Sequence, residues 1–327
     1  MKKSLLIIML LTGNLLTVGS VRADHIQVVS YRVMVYGLSP LEIPAAVGET
    51  TNWTDTSSVP FDTNADDNRG SYFEVVFDGS LTGDGVTWKT SNPGIGIQYK
   101  AKVSSPLFTP AESLTPSTNY RLNLNGDEGT QRSSYYHLYY RLVRLSEKVP
   151  SGKITSLPNV TLNAYNPDGA GPGMLSGLIL SGIASQPKIT ACTINAPTEI
   201  KLSALYGNNL VNGSQNVSDL QRVTLVNCPG AIDGITYTFN AVYGAHNAGN
   251  GVLKVAEGTG YAKNVYVQFQ NADGTAHTIN STTNISGYDG SGDYPIPDFK
   301  VAYFIDNVNN VTAGNVKSAI ELQIQYN

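Results

Sequence analysis

The side chains best suited to recognition cluster in the first half of the sequence, and they are aromatic, acidic and amide groups. Trp53 stands beside Asn52 and Asp55; Asp62, Asp66, Asp67 and Arg69 follow in one polar stretch with Tyr72 just beyond, and Trp88 comes soon after Asp84. Further on, Tyr135, His137, Tyr139 and Arg141 recur at every second position. In an extended strand that spacing puts all four on one face and Tyr136, Leu138, Tyr140 and Leu142 on the other. The second set suits a core, which leaves the first as an exposed aromatic and basic stripe. Such a surface has the chemistry a sugar site needs: carboxylates and amides to bind hydroxyls and a ring to lie against the apolar face of a pyranose. The favoured site is the loop from Trp53 to Arg69, because binding functions concentrate on loops held by rigid scaffolds. The competing reading for any single tyrosine is that it merely caps a sheet.

Catalysis and metal binding have less to stand on. The sequence has no G-x-S-x-G elbow, no H-E-x-x-H pair and no P-loop; Gly169-Ala170-Gly171-Pro172-Gly173 lacks the later glycine and the strand-to-helix setting of a dinucleotide fingerprint. Asp62-Thr63-Asn64-Ala65-Asp66-Asp67-Asn68 begins like a calcium loop. Its sixth place is Asp67 where a glycine is needed, and its twelfth is Phe73, with Glu74 one residue late. A solvated acidic loop is the preferred reading of that segment, and such a loop can also bind sugar hydroxyls. The histidines, His25, His137, His246 and His277, lie far apart, so a metal site needs the fold to bring ligands to His25 or His137. No enzymatic activity, cofactor or resident metal is expected.

At 327 residues the chain is long enough for two domains, each with its own core. Only 14% of residues are charged and the net charge is −4, which gives no electrostatic case for nucleic acid or an anionic membrane as partner. Met1-Lys2-Lys3, the apolar Leu5 to Leu11 and the exit Val21-Arg22-Ala23 read as a secretory signal peptide over residues 1–23, cleaved to leave Asp24. Cys192 and Cys228 are the only cysteines. An oxidising compartment permits a disulfide, whereas two cysteines without a histidine pair make a poor zinc site and their spacing is wrong for a C-x-x-C redox centre. One structural bridge is expected.

The elements that must position these residues are strands. Runs at Ile26 to Val35, Tyr72 to Phe77, Gly96 to Val103 and Tyr135 to Leu145 are separated by turn clusters such as Thr82-Gly83-Asp84-Gly85, as in a sandwich or barrel. A last strand from Met174 to Ile183 closes this first module. Ala184-Ser185-Gln186-Pro187-Lys188 makes a short boundary with nothing to bury, which divides the chain into domains at 24–185 and 186–327. In the second, strands are expected at Glu199 to Leu202, Thr236 to Tyr243 and Val265 to Phe269, followed by a terminal pair. In the last of these Ile320, Leu322, Ile324 and Tyr326 share one face, with Glu321, Gln323, Gln325 and Asn327 on the other. No turn and further strand follow to cover its open edge, so cover is expected from an earlier segment or from another molecule.

Three pieces of this terminus, Phe299-Lys300-Val301-Ala302-Tyr303-Phe304-Ile305, Val311-Thr312-Ala313-Gly314-Asn315-Val316 and the alternating strand with penultimate Tyr326, resemble the C-terminal signature of fimbrial subunits of the chaperone-usher pathway. The resemblance covers roughly the last 140 residues, an ordinary length for one domain. It implies an all-β chain whose second domain is an immunoglobulin-like pilin sandwich lacking its last strand. The gap is filled first by a periplasmic chaperone, which delivers the subunit to an outer-membrane usher, and later by a strand from the adjacent subunit. Ile320, Leu322, Ile324 and Tyr326 become that chaperone and donor-strand edge, and Cys192 and Cys228 match the bridge between the first two pilin strands. A whole domain stands where an ordinary subunit has its free arm, an arrangement that in the family belongs to the two-domain adhesin at the fimbrium tip on the cell surface. Its N-terminal lectin-like domain binds a host receptor, most often a glycan. Here the likeness is looser: Tyr139 to Arg144 followed by Val149-Pro150-Ser151-Gly152-Lys153-Ile154 is similar to a strand and turn of several such domains, and no sugar-binding motif carries over. The rival readings are a structural or adaptor subunit and an adhesin for a protein receptor.

Overall fold

A computed structural model describes residues 26–28, 30, 32–63, 71–104, 120–123, 131–165 and 178–327. The first strands are β1 (Ile26–Val28), β2 (Arg32–Gly37), β3 (Thr54–Thr63), β4 (Tyr72–Asp78), β5 (Trp88–Lys89), β6 (Ile95–Ser104), β7 (Tyr120–Asn123), β8 (Gln131–Arg144), β9 (Asn159–Tyr165) and β10 (Leu178–Ser185). They form two five-stranded sheets, in the orders β1-β3-β8-β6-β5 and β2-β10-β9-β4-β7. The alternation that makes these segments strands also makes the sandwich. Tyr99, Ala101 and Val103 of β6 and Tyr136, Leu138, Tyr140 and Leu142 of β8 point inward onto Phe73, Val75, Val160 and Leu162 of the facing sheet. Each large apolar side chain buried this way contributes about 1.5–3 kcal/mol. One buried polar tip is fully engaged: the Tyr36 hydroxyl donates to the Pro158 carbonyl at 2.6 Å and accepts from Tyr99 at 2.7 Å. Burial drives the Tyr36 phenol far above its ordinary pKa, so it stays a protonated donor.

The later strands are β11 (Thr193–Asn195), β12 (Gly213–Gln215), β13 (Gln221–Cys228), β14 (Ile235–Ala241), β15 (Ala245–Asn247), β16 (Val252–Leu253), β17 (Tyr266–Asn271), β18 (Thr282–Asn284), β19 (Gly292–Ile305) and β20 (Ile320–Tyr326). One sheet runs β11-β13-β19-β17-β16-β15 with β12 also on β19, and it packs on a three-stranded sheet, β18-β14-β20. Leu225, Ile296 and Phe299 meet Ile235, Tyr237 and Phe239 in the core between them. Cys192 and Cys228 are joined by a disulfide with Cα atoms 4.3 Å apart. The chain is thus all-β, with two sandwiches, and among the described residues no ladder joins a strand of one to a strand of the other. Among the described residues no helix is long and apolar enough to cross a membrane.

Three expectations are corrected. The run from Ile26 to Val35 is two strands: β1 pairs with β3 in one sheet, and β2 runs parallel to β10 in the other, so one apolar run feeds both layers. Residues 199–202 alternate like a strand but form none, because no strand among the described residues pairs with them to complete a ladder. The junction after Ser185 does have something to bind. The Gln186 amide accepts from the Ile154 N–H and donates to the Ile154 carbonyl, and the Lys188 N–H donates to Leu41 O at 2.7 Å.

The sandwiches meet where Val149-Pro150-Ser151-Gly152 enters a notch of the second. The amides of Ala231, Gly152, Ser151 and Ser291 donate to the carbonyls of Pro150, Ile232, Asp289 and Val149, at 2.8, 2.8, 3.0 and 2.8 Å. Asn92, 2% exposed, holds the turn from behind by donating to Pro150 O and Gly152 O. Val149 is 1% exposed, and Ala231 of the second sandwich packs into the core of the first. The Lys148–Asp289 and Lys153–Asp233 pairs at the rim are solvent-exposed, so they add little stability.

Candidate functional site

Backbone register builds the outer face of the first sandwich. In successive rows across β6 and β8, Gln98 lies opposite Arg141, Lys100 opposite Tyr139, Lys102 opposite His137 and Ser104 opposite Tyr135. On the other flank β3 sets Asp55 opposite Tyr139 and Ser58 opposite His137. Residues 56 and 57 therefore stand opposite Leu138 alone, a bulge that re-aims the start of β3. The Thr56 hydroxyl donates to the Leu138 carbonyl within it. As a result Asp55 Oδ2 reaches His137 Nδ1 at 3.0 Å, and Trp53 folds over the end of the rows.

Trp53 lies among cations. Lys100 Nζ is 4.8 Å and the Arg141 guanidinium carbon 4.3 Å from its ring centroid, and the same Lys100 Nζ is 5.0 Å from the Tyr139 ring. Such contacts are worth about 0.5–1 kcal/mol each at exposed sites. His137 lies nearly parallel to Tyr139, 15° between planes and 6.0 Å between centroids. A polar relay fixes the guanidinium: Arg141 Nε and Nη2 donate to Gln98 Oε1 at 3.0 and 2.8 Å, Gln98 Nε2 donates to Thr87 Oγ1 at 2.8 Å, and Thr87 donates to Asp84 at 2.5 Å. Burial alone would raise the Asp84 carboxyl, but hydrogen bonds from Thr87, Val86 and Thr82 outweigh it and hold the group well below the usual carboxylate range. Burial, with the Asp55 charge nearby, moves the Tyr139 phenol upward, so its hydroxyl remains a donor.

The structure brings together Trp53, Asp55, His137 and Tyr139, with Tyr135, 38% exposed, two rows along. Asp62 is placed further along β3, opposite Gln27 of β1. Asp66, Asp67 and Arg69, and with them most of the calcium-like segment, lie outside the described residues, as do His25 and residues 1–23. Trp88 is corrected: it is 6% exposed and stacks on Phe77 at 4.9 Å inside the core, so it cannot meet a ligand. Its neighbour in sequence, Lys89, is the exposed one. Sequence reasoning missed Lys100, Lys102 and Gln98. Their signal was the polar phase of the alternating run from Gly96 to Val103.

A second site is the edge of β20. Antiparallel pairing with β14 runs from Ile235↔Tyr326 to Ala241↔Ile320, while the opposite edge of β20 has no strand partner among the described residues. Ile320, Leu322, Ile324 and Tyr326 point at the core yet stay half-buried, as do Ile200 and Leu202 in the unladdered run. The Tyr326 hydroxyl accepts from the Cys192 N–H at 2.7 Å and ties the end of this edge to the disulfide. In the turn before β20, Gly314 lies so close to Tyr261 and Ala262 that a Cβ there would sit 2.4 Å from backbone atoms. That contact explains the glycine of the Val-Thr-Ala-Gly motif.

No family model and no curated protein matches the chain. Among solved structures it is similar to the CupB6 tip adhesin of Pseudomonas aeruginosa, at 18% identity and a TM-score of 0.39 over 91% of this chain and 93% of that one. It is similar to the enterotoxigenic E. coli adhesin CfaE, at 12% identity and a TM-score of 0.32 over 91% of this chain and 94% of that one. The receptor binding domain of the Klebsiella pneumoniae adhesin MrkD1P aligns at 16% identity and a TM-score of 0.33, covering 52% of this chain and 99% of that one.

Proposed function

We propose that the chain is a fimbrial tip adhesin. Its first sandwich, within residues 24–185, binds a receptor glycan; its second, within 186–327, is a pilin domain anchored by a strand from an adjacent subunit. A periplasmic chaperone holds the same edge during export, after cleavage of the signal peptide behind Ala23, and the usher passes the chain to the surface. The observation that carries this reading is the row Ile320, Leu322, Ile324 and Tyr326, half-covered beside a strand edge that has no partner among the described residues. An extended segment with alternating apolar side chains satisfies both needs at once, pairing with the backbone of β20 and covering the row. Covering four half-buried side chains contributes about 3–6 kcal/mol.

The test is self-complementation. A short strand with alternating apolar residues is appended to the mature chain through a flexible linker, and urea unfolding of the second sandwich is followed. The expected result is a gain in unfolding free energy of about 3–6 kcal/mol, absent when the appended residues are scrambled. An unchanged midpoint overturns the donor-strand reading.

A further inference from the structure

The charge on the outer face of the first sandwich runs against that of the whole molecule. The chain carries a net charge of −4, yet Lys100, Lys102 and Arg141 stand in adjacent rows of β6 and β8. The carboxylate among them, Asp55, is engaged by His137 at 3.0 Å. Among the described residues no carboxylate pairs with Lys100 or Lys102. Neutral sugars are bound largely by acceptors that take hydroxyl protons. A lysine ammonium offers three donors and no acceptor, and a guanidinium five donors and no acceptor. The face is therefore matched to a group that only accepts.

Trp53 sharpens the point. With Lys100 and Arg141 both within 5 Å of its ring centroid, the indole is engaged by cations and is poorly placed as a stacking plate for a pyranose. A cation against an aromatic face keeps its charge and its N–H groups. The ring thus holds two charges in place, and the Asp84–Thr87–Gln98 relay fixes the orientation of the guanidinium. Donors ordered before the ligand arrives lose little entropy on binding. Tyr135, two rows away, offers the exposed ring.

We infer that the ligand of this face is an acidic glycan, whose carboxylate or sulfate group is taken by Lys100 and Lys102. The inference rests on the reading that the first sandwich binds a glycan, and it names the chemical class.

The experiment is a glycan array probed with the purified mature chain, carrying matched saccharides that are neutral, carboxylated or sulfated. Binding is expected to the acidic members, and the two acidic arms tell carboxylate from sulfate. Raising ionic strength from about 0.05 to 0.5 M should weaken it strongly. A Lys100→Gln, Lys102→Gln double variant should stay folded, with a modestly lowered Tm as the two Lys100 cation–π contacts are lost, and should lose roughly tenfold or more in affinity; a Trp53→Phe variant, which keeps both lysines, should retain the preference for acidic members. Binding to neutral saccharides that is indifferent to both lysines overturns the inference while leaving the glycan reading intact. Absence of binding to any saccharide overturns both.

Discussion

Replacing Gly230 with alanine drives a methyl group into the joint between the two sandwiches. A Cβ on Gly230 would lie 2.1 Å from the Val149 carbonyl oxygen, and real Cβ contacts essentially never fall under 3.0 Å, so the two backbones must part by about 0.9 Å. That displacement stretches hydrogen bonds of 2.8–3.0 Å to roughly 3.7–3.9 Å, beyond useful range. With four backbone–backbone bonds across the joint, each worth about 0.5–1.5 kcal/mol net, the cost is on the order of 2–6 kcal/mol, carried mainly by the joint. Hydrogen exchange should show lost protection at the amides of Ser151, Gly152, Ala231 and Ser291, and calorimetry should show the sandwiches melting further apart than in the wild type. Gly234→Ala, where a Cβ meets nothing within 4 Å, is the control. Wild-type protection at those four amides in Gly230→Ala would refute the reasoning.

Other perturbations read the remaining parts of the molecule. Trp53→Ala should lower stability by about 1–2 kcal/mol and receptor affinity roughly three- to tenfold, because two cations lose the ring that positions them; Trp53→Phe should recover part of both. Gly314→Ala should lower stability in urea by about 1–3 kcal/mol through overpacking against Tyr261 and Ala262. His277 sits edge-on to Phe239 and Phe269, and burial lowers its pKa from 6.5. The folded state resists a proton that the unfolded chain accepts, so its stabilising contribution is complete above pH 6.5 and is lost as pH falls through the lowered folded-state value. His277→Gln should accordingly show a smaller fall in Tm between about pH 7.5 and 5.5 than the wild type.

Period-two alternation carried much of the fold. On β8 it separated Tyr136, Leu138, Tyr140 and Leu142, all buried, from Tyr135, His137, Tyr139 and Arg141. What alternation cannot supply is the neighbour. That Lys100 faces Tyr139, or that Arg141 reaches Trp53 some ninety residues earlier, follows from strand register set by the whole sandwich. Trp88 shows the same limit: a two-residue strand has no period to read, and its burial is decided by Phe77 across the core. For residues 199–202 the local pattern is that of a strand, but a strand also needs an adjacent backbone, and none among the described residues pairs with it.

The position of β10 has a mechanical consequence. The strand is flanked by β9 on one side and, in parallel, by β2 on the other, and the chain leaves it at Ser185 toward the second sandwich. A pull along that exit acts lengthwise on two ladders together, loading their rungs in shear. Peeling, which would strain one rung at a time, needs a force at right angles to the strand. A load on that exit is thus shared between the two ladders.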